Sequence, residues 1–206
     1  MYIPKHFLTT DRNEIVAFMK QYSFATIVTA QNNLPIATHL PFVVSESGDE
    51  IVLTSHFAKA NSQWTQIADN NVLIIFAEPH AYISPKYYNH ELSVPTWNYI
   101  AIHVYGTCKI IAEQEKSFAV LDTMINCFEK EYKSQWDILP IDFKLKMLNG
   151  IVPFEITVTD VQAKKKLSQN KKPSERQKII SAFENSSDFN ENRIADFMKR
   201  NDDQDL

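Results

Sequence analysis

The sequence predicts an α+β fold built on an antiparallel split β-barrel with peripheral helices. Three observations carry this. The first quarter of the chain sets β-branched runs between short polar turns, which is the signature of a meander. Residues Thr96 to Ile111 alternate from one face to the other without a break. At about 3.3 Å per residue such a strand spans about 50 Å, too long to stay flat in a small domain, and strands of this length curl into barrels. Amphipathic helical segments stand at both ends and between strands, which completes an α+β arrangement.

Taken in order, Asp11 opens a first helix, with Glu14 three residues on as an acidic version of the capping box. Ile15, Phe18, Met19 and Tyr22 fall on one face of it. Phe24 to Thr29 reads as a strand, Gln31-Asn32-Asn33 as a turn, and Leu34 to Val44 as a second strand. Pro41 inside that run argues for an edge position or a bulge, because proline has no N–H to give a ladder. Ser45 to Asp49 turns the chain into a third strand, Glu50 to Ser55. The stretch Thr54 to Trp64 then reads as a strand end, a polar crossing and the start of a helix over Asn61–Asp69, capped by Asn61 or Ser62. Trp64, Ile67 and Ala68 supply its apolar stripe.

Val72 to Ala77 and Ala81 to Ser84 are further strands, and Pro85 to Pro95 is a loop. In the long strand Trp97, Tyr99, Ala101, His103 and Tyr105 share one face, while Ile100, Ile102 and Val104 share the other; Gly106 is its expected bending point. Glu115 to Tyr132 is helical, with Phe118, Leu121, Ile125 and Phe128 as its stripe. Asp137 to Leu148 is a second helix ended by Gly150, and Ile151 to Val158 a last strand. A basic arm and two helices, Pro173–Glu184 and Asn190–Arg200, close the chain.

At 206 residues the chain is one domain with a small appendage, read as a barrel over 1–170 and a helical pair over 171–206. Only three glycines occur, which excludes a G-x-G-x-x-G fingerprint and a Walker A loop; a nucleotide-like ligand needs another geometry. Cys108 and Cys127 make no disulfide framework and read as buried free thiols of a reducing compartment. The N-terminus carries no apolar leader core, and no run nears the roughly 18 apolar residues of a span, so the expectation is a cytoplasmic protein with no membrane contact. The histidines lack metal-ligand spacing, and no nucleophile–base pair stands out. Net charge is −4, but Lys164 to Lys178 holds seven basic residues and one acid. That segment is either an anion-binding arm or a solvated surface.

A helix N-terminus at Asn61 beside Lys59, Ser55 and Thr54 suits a phosphate, although an ordinary capped helix with a solvated lysine would look the same. The blocks Met1-Tyr2-Ile3-Pro4-Lys5-His6-Phe7, Pro35 to Pro41, Ser55 to Trp64, Pro79 to Ser84, Val94 to Tyr99, His103 to Thr107 and Lys166 to Asn170 resemble the PaiB family, in order and over nearly the whole chain. The resemblance implies an FMN-binding split barrel of the pyridoxamine-phosphate-oxidase type, a homodimer with flavin at the subunit interface, and a role as a negative transcriptional regulator. It also implies site residues. Lys59, Ala60 and Asn61 would meet the phosphate, and Ser55 and His56 would lie by the ribityl chain. Thr38, His39, Leu40 and Pro41 would face the ring edge, with Trp97, Asn98 and Tyr99 closing the site from the partner. Lys59, Ser62 and Lys171 stand where the family often has arginine, proline and arginine.

The alternatives are an FMN-dependent oxidoreductase acting on a small molecule and a split-barrel scaffold without flavin. The two C-terminal helices read as a docked hairpin or as a helix-turn-helix. If DNA is a partner, the basic segment is the better candidate for phosphate contacts.

Overall fold

The computed structural model describes residues 1–68 and 70–204. In chain order its elements are β1 (Leu8–Thr9), α1 (Arg12–Gln21), β2 (Phe24–Gln31), β3 (Leu34–Pro41), β4 (Val43–Ser47), β5 (Glu50–Ala58), a 3-10 helix Ser62–Gln66 and β6 (Asn71–Phe76). There follow β7 (His80–Ile83), β8 (Thr96–Ile110), α2 (Gln114–Phe128), α3 (Lys133–Ile138), α4 (Ile141–Leu148), β9 (Ile151–Lys166), α5 (Pro173–Glu184) and α6 (Phe189–Gln204). The strands lie in the order β3-β2-β6-β8-β9-β5-β4, with β1 beside β9 and β7 beside β8. The two ends of that order are consecutive in sequence, with only Phe42 between β3 and β4. This antiparallel sheet with its helices is the α+β split-barrel architecture expected from the sequence.

Two compact units can be described. The first comprises Val16–Phe76 and His103–Val161 and holds β2 to β6 with the greater part of β9. Its β2–β3 hairpin turns on Asn32 and Asn33, both left-handed at φ 52° and 63°, which asparagine tolerates better than other side chains carrying a Cβ. The register runs from Gln31↔Leu34 to Phe24↔Pro41. Pro41 ends β3, which stands at one end of the strand order, the edge position expected for it. Phe42 steps out of the ladder, its N–H bonds Ser23 O at 2.8 Å, and its ring turns into the core. There Phe42, Phe57, Phe76 and Phe154 are wholly buried, with Phe57 stacked on Phe154 at 5.1 Å and Phe42 edge-on to Phe76 and Phe154. Such rings bury about 150–250 Å² each, so this quartet is the main apolar payload of the unit. Gly106 is required by close approach: a Cβ there would lie 2.5 Å from Thr157 O and 2.6 Å from Ile156 Cγ2.

The helices of this unit depart from the sequence reading. In α2 the buried line is Ser117, Val120 and Met124, with Val120 and Met124 packed on Val43. The stripe expected from Phe118, Leu121, Ile125 and Phe128 is one step off, and Phe128 is exposed. The core side of α2 is narrow and takes small and flexible side chains, so the bulkiest residues do not mark it. The helix expected over Asp137–Leu148 is two, because Pro140 cannot donate to a continuing helix and sits as the N-cap of α4. Cys108 is buried as expected; Cys127, on the outer side of α2, is exposed.

The second unit comprises Met1–Ile15, Ala77–Ile102 and Gln162–Leu206. Here β1 pairs with the end of β9 (Leu8↔Lys164), and β7 pairs with the start of β8 (Ile83↔Thr96). Helices α5 and α6 form a hairpin whose inner faces, Ile179, Ile180, Phe183, Ile194, Ala195 and Met198, are buried. The basic segment is not an arm. β9 extends to Lys166, eight residues beyond the expected end, and Lys164 and Lys165 are buried, Lys165 on Glu14 at 2.5 Å. Lysine stems pack along apolar surface while the ammonium finds a partner, so a run of lysines can finish a strand.

Candidate functional site

The stretch from β3 through β5 to the 3-10 helix assembles nine of the twelve residues singled out from the sequence. In β5, Ser55 is fully buried and its Oγ donates to Pro41 O at 2.7 Å, tying β5 to the point where β3 ends. His56, next along, is half-buried, its Nδ1 3.3 Å from Met124 Sδ. Burial pushes its imidazole below the ordinary histidine range, which favours the neutral ring. Beyond β5, Lys59 and Ala60 are exposed; Lys59 N–H bonds Gly150 O at 2.8 Å, and the Trp64 indole N–H bonds Lys59 O at 3.0 Å. The backbone of Lys59 is thus pinned on both sides while its ammonium is free of any carboxylate among the described residues. A cavity of about 360 Å³ opens beside Lys59 and Trp64, lined also by Ile111, Leu148 and Pro153.

Asn61 caps the helix as expected, its Oδ1 accepting from Gln63 N at 3.0 Å, while its Nδ2 donates to Thr38 Oγ1 at 2.9 Å. The helix itself is a single 3-10 stretch, Ser62–Gln66, and not an α-helix; Asp69, its expected end, lies outside the described residues. So short a helix has little dipole, and the phosphate argument from a helix N-terminus is withdrawn. Three residues per turn also moves the buried side. Gln63 and Ile67 are buried, whereas Trp64 is half-exposed and Ala68 exposed.

Gln63 is the residue the sequence reading missed. Its Oε1 accepts from Thr38 Oγ1 at 2.5 Å, and its Nε2 lies within hydrogen-bond reach of Ile36 O (3.0 Å), Ile27 O and Thr29 Oγ1 (3.3 Å each). Thr29 Oγ1 in turn donates to Gln66 Oε1 at 3.0 Å. Gln63 and Gln66 are three apart and so eclipse one another in a 3-10 helix, which lets both reach Thr29. That i, i+3 pair of amides was the available signal.

Thr38 and Leu40 are half-buried on β3, and His39 is exposed on its other face against the exposed ring of Phe24. Trp97, Asn98 and Tyr99 lie in the other unit. Trp97 is half-exposed between His80 and Tyr82, and Tyr99 faces the Lys164 ammonium at 5.2 Å. Asn98 is wholly buried, accepting from Ser168 Oγ at 3.1 Å.

Residues 1–160 match the family model described as "Putative FMN-binding domain". The chain is 40% identical over 202 residues to the "Protease synthase and sporulation protein PAI 2" of Bacillus subtilis, covering 97% of both chains. Among solved structures, it is similar in fold to a flavocytochrome of Azotobacter vinelandii (TM-score 0.61, 12% identity, 80% of this chain and 72% of that one). It is also similar to an FAD- and heme-binding protein of Mycobacterium smegmatis (TM-score 0.59, 16% identity, 77% and 72%). The strand order and the fold it shares with these solved structures define the class as a split barrel. Within that class the chain belongs to the PaiB family of FMN-binding-domain proteins, and its cofactor is FMN or a related flavin.

The donor set fits such a group. A flavin phosphate needs a cation, which the exposed Lys59 ammonium offers, and a flat ring needs an apolar wall beside polar edges. Phe24 and Leu34, 64% and 66% exposed at opposite ends of the β2–β3 hairpin, are two separate apolar side chains left open.

Proposed function

We propose that this chain is an FMN-binding, PaiB-type negative regulator of transcription that acts as a homodimer, with the flavin at the subunit interface. The observation that carries the reading is the Thr38–Asn61–Gln63 chain beside Lys59, whose ammonium has no carboxylate partner among the described residues. Lys59, Ala60 and Asn61 hold the phosphate, Ser55 and His56 border the ribityl chain, and Thr38 to Pro41 present the strand edge to the ring. Trp97, Asn98 and Tyr99 of the second copy complete the site. The open Phe24 and Leu34 support a second copy, because a soluble surface gains by covering large apolar side chains. The name of the Bacillus subtilis relative, which ties that protein to protease synthesis and sporulation, supports a regulatory role. FMN supplies redox-active ring chemistry when bound; the residues of this chain bind it, orient it and keep water from its phosphate end.

Direct DNA contact must then come from a surface other than a free basic arm. In α6, Arg193 is paired with Asp196 and Lys199 with Glu184, and Arg176 of α5 is paired with Asp202, so three of the hairpin's cations are already engaged by carboxylates. The test is retardation of the DNA upstream of the chain's own operon, with light scattering on the same sample. The expected result is a particle of twice the 23.8 kDa chain mass whose retardation of DNA weakens steeply as salt rises. No retardation at about 50 mM salt, where phosphate contacts are strongest, overturns the regulatory reading.

A further inference from the structure

The unit built from Met1–Ile15, Ala77–Ile102 and Gln162–Leu206 contains a cavity of about 190 Å³. The flavin reading shares only Asn98 with it. Around it stand Tyr88, Thr96, Lys166, Ser168, Asn170 and Lys171, and no carboxylate lines it. Lys166 Nζ donates to Trp97 O at 2.8 Å and to Thr96 Oγ1, and Lys171 Nζ sits 3.9 Å from the centre of the Tyr88 ring. Neither ammonium has a carboxylate within ion-pair distance among the described residues. The nearest acid in electrostatic reach, Glu175, is already engaged: it accepts from Asn89 N at 2.7 Å and Lys172 N at 3.1 Å. Burial and the neighbouring Lys164 and Lys171 push the Lys166 ammonium below the ordinary lysine range, so the cluster repels itself.

A second observation is independent of the charges. Tyr88 is 8% exposed, and its hydroxyl is buried with no hydrogen-bond partner. A buried hydroxyl without a partner is an unmet donor, which a ligand acceptor would satisfy. Two cations without an ion-pair partner among the described residues, beside a ring whose buried O–H donor is unmet, ask for a single chemistry. We propose that this cavity binds a small oxyanion, the carboxylate or phosphate of a small molecule. In it Lys166 and Lys171 supply charge, Tyr88 supplies one hydrogen bond, and Val94 and Pro95 bound the apolar side. The volume holds about six waters at liquid density, enough for a phosphate with a short tail.

The probe is inorganic phosphate, titrated into the full chain at constant ionic strength and followed by backbone amide NMR. The expected result is a saturable shift at Thr96 and Lys166 to Lys171, with a midpoint independent of any shift at Lys59 to Asn61. Lys171→Gln, at a half-exposed position, weakens it by about 10-fold, the worth of one charge-assisted contact. Tyr88→Phe, which keeps the ring in place, weakens it by about 3-fold to 10-fold. Lys178→Gln, outside the cavity, leaves it unchanged, and so does Lys59→Met, so that failure of the flavin reading does not touch this one. FMN is titrated in parallel with riboflavin. Shifts at these amides with FMN and not riboflavin identify the cofactor's own phosphate as the oxyanion source, and shifts with inorganic phosphate alone identify a free ligand. Shifts that never saturate, or an equal loss in Lys178→Gln, overturn the proposal.

Discussion

Replacing Gln63 with leucine is expected to destabilise the protein by about 2–4 kcal/mol and to abolish most flavin affinity with it. The side chain is 1% exposed and serves Thr38, Ile36, Ile27 and Thr29 together. Leucine fills similar space but leaves two backbone carbonyls and the Thr38 hydroxyl short of a partner in the interior, and each orphaned group costs about 1–3 kcal/mol. Glutamate at the same position restores an acceptor for Thr38 but no donor for Ile36 O, and is expected to be no better than leucine. Urea unfolding of the two variants reads the effect. A loss under about 1 kcal/mol would show that water replaces the amide freely and that the network does not fix the 3-10 helix to the β2–β3 hairpin.

Lys59→Met is expected to lower FMN affinity by about 10-fold to 100-fold while leaving riboflavin affinity and folding stability unchanged. The lysine is exposed and its backbone is held by Gly150 and Trp64, so removing the ammonium disturbs no packing. Hydrogen bonds to charged groups contribute about 1.5–3 kcal/mol, and riboflavin lacks the phosphate that would use one. Lys59→Arg is expected to bind FMN at least as well as wild type, because a planar fork can contact two phosphate oxygens. Equal losses for FMN and riboflavin in Lys59→Met would place the lysine away from the phosphate. Paired fluorescence titrations distinguish the outcomes.

The barrel was legible because alternation is dictated by which face of a strand is dry; β2 keeps it, and β5 and β8 break it only where three successive residues are buried, Leu53 to Ser55 and Ile100 to Ile102. What the alternation could not show is where a strand stops for tertiary reasons. β9 runs on through Lys164 and Lys165 because Glu14 and a pairing strand are waiting for them, and a one-dimensional reading sees only charge. Pro41 and Pro140 illustrate the opposite case. Both were plain in the sequence, and both end an element because proline lacks an N–H, a local rule that outranks the periodicity around it. At the candidate site, Asn61 was legible as a cap because capping is local chemistry. Gln63 was not, because a buried amide looks like a surface amide until its four partners on β2 and β3 are brought round it. The separation of Trp97, Asn98 and Tyr99 from the other nine site residues into a different unit likewise has no counterpart in sequence spacing.

The account rests on a flavin held where β5 runs out at Lys59 and Asn61. Its most direct test is equilibrium titration of the purified full chain with FMN, followed by flavin fluorescence and repeated with Asn61→Ala. The predicted result is saturable binding at one flavin per chain that weakens by about 10-fold or more in the variant, as the Thr38 and Gln63 contacts are released. FMN fluorescence that stays unchanged by the wild-type chain at every concentration, or binding that Asn61→Ala leaves intact, would contradict it.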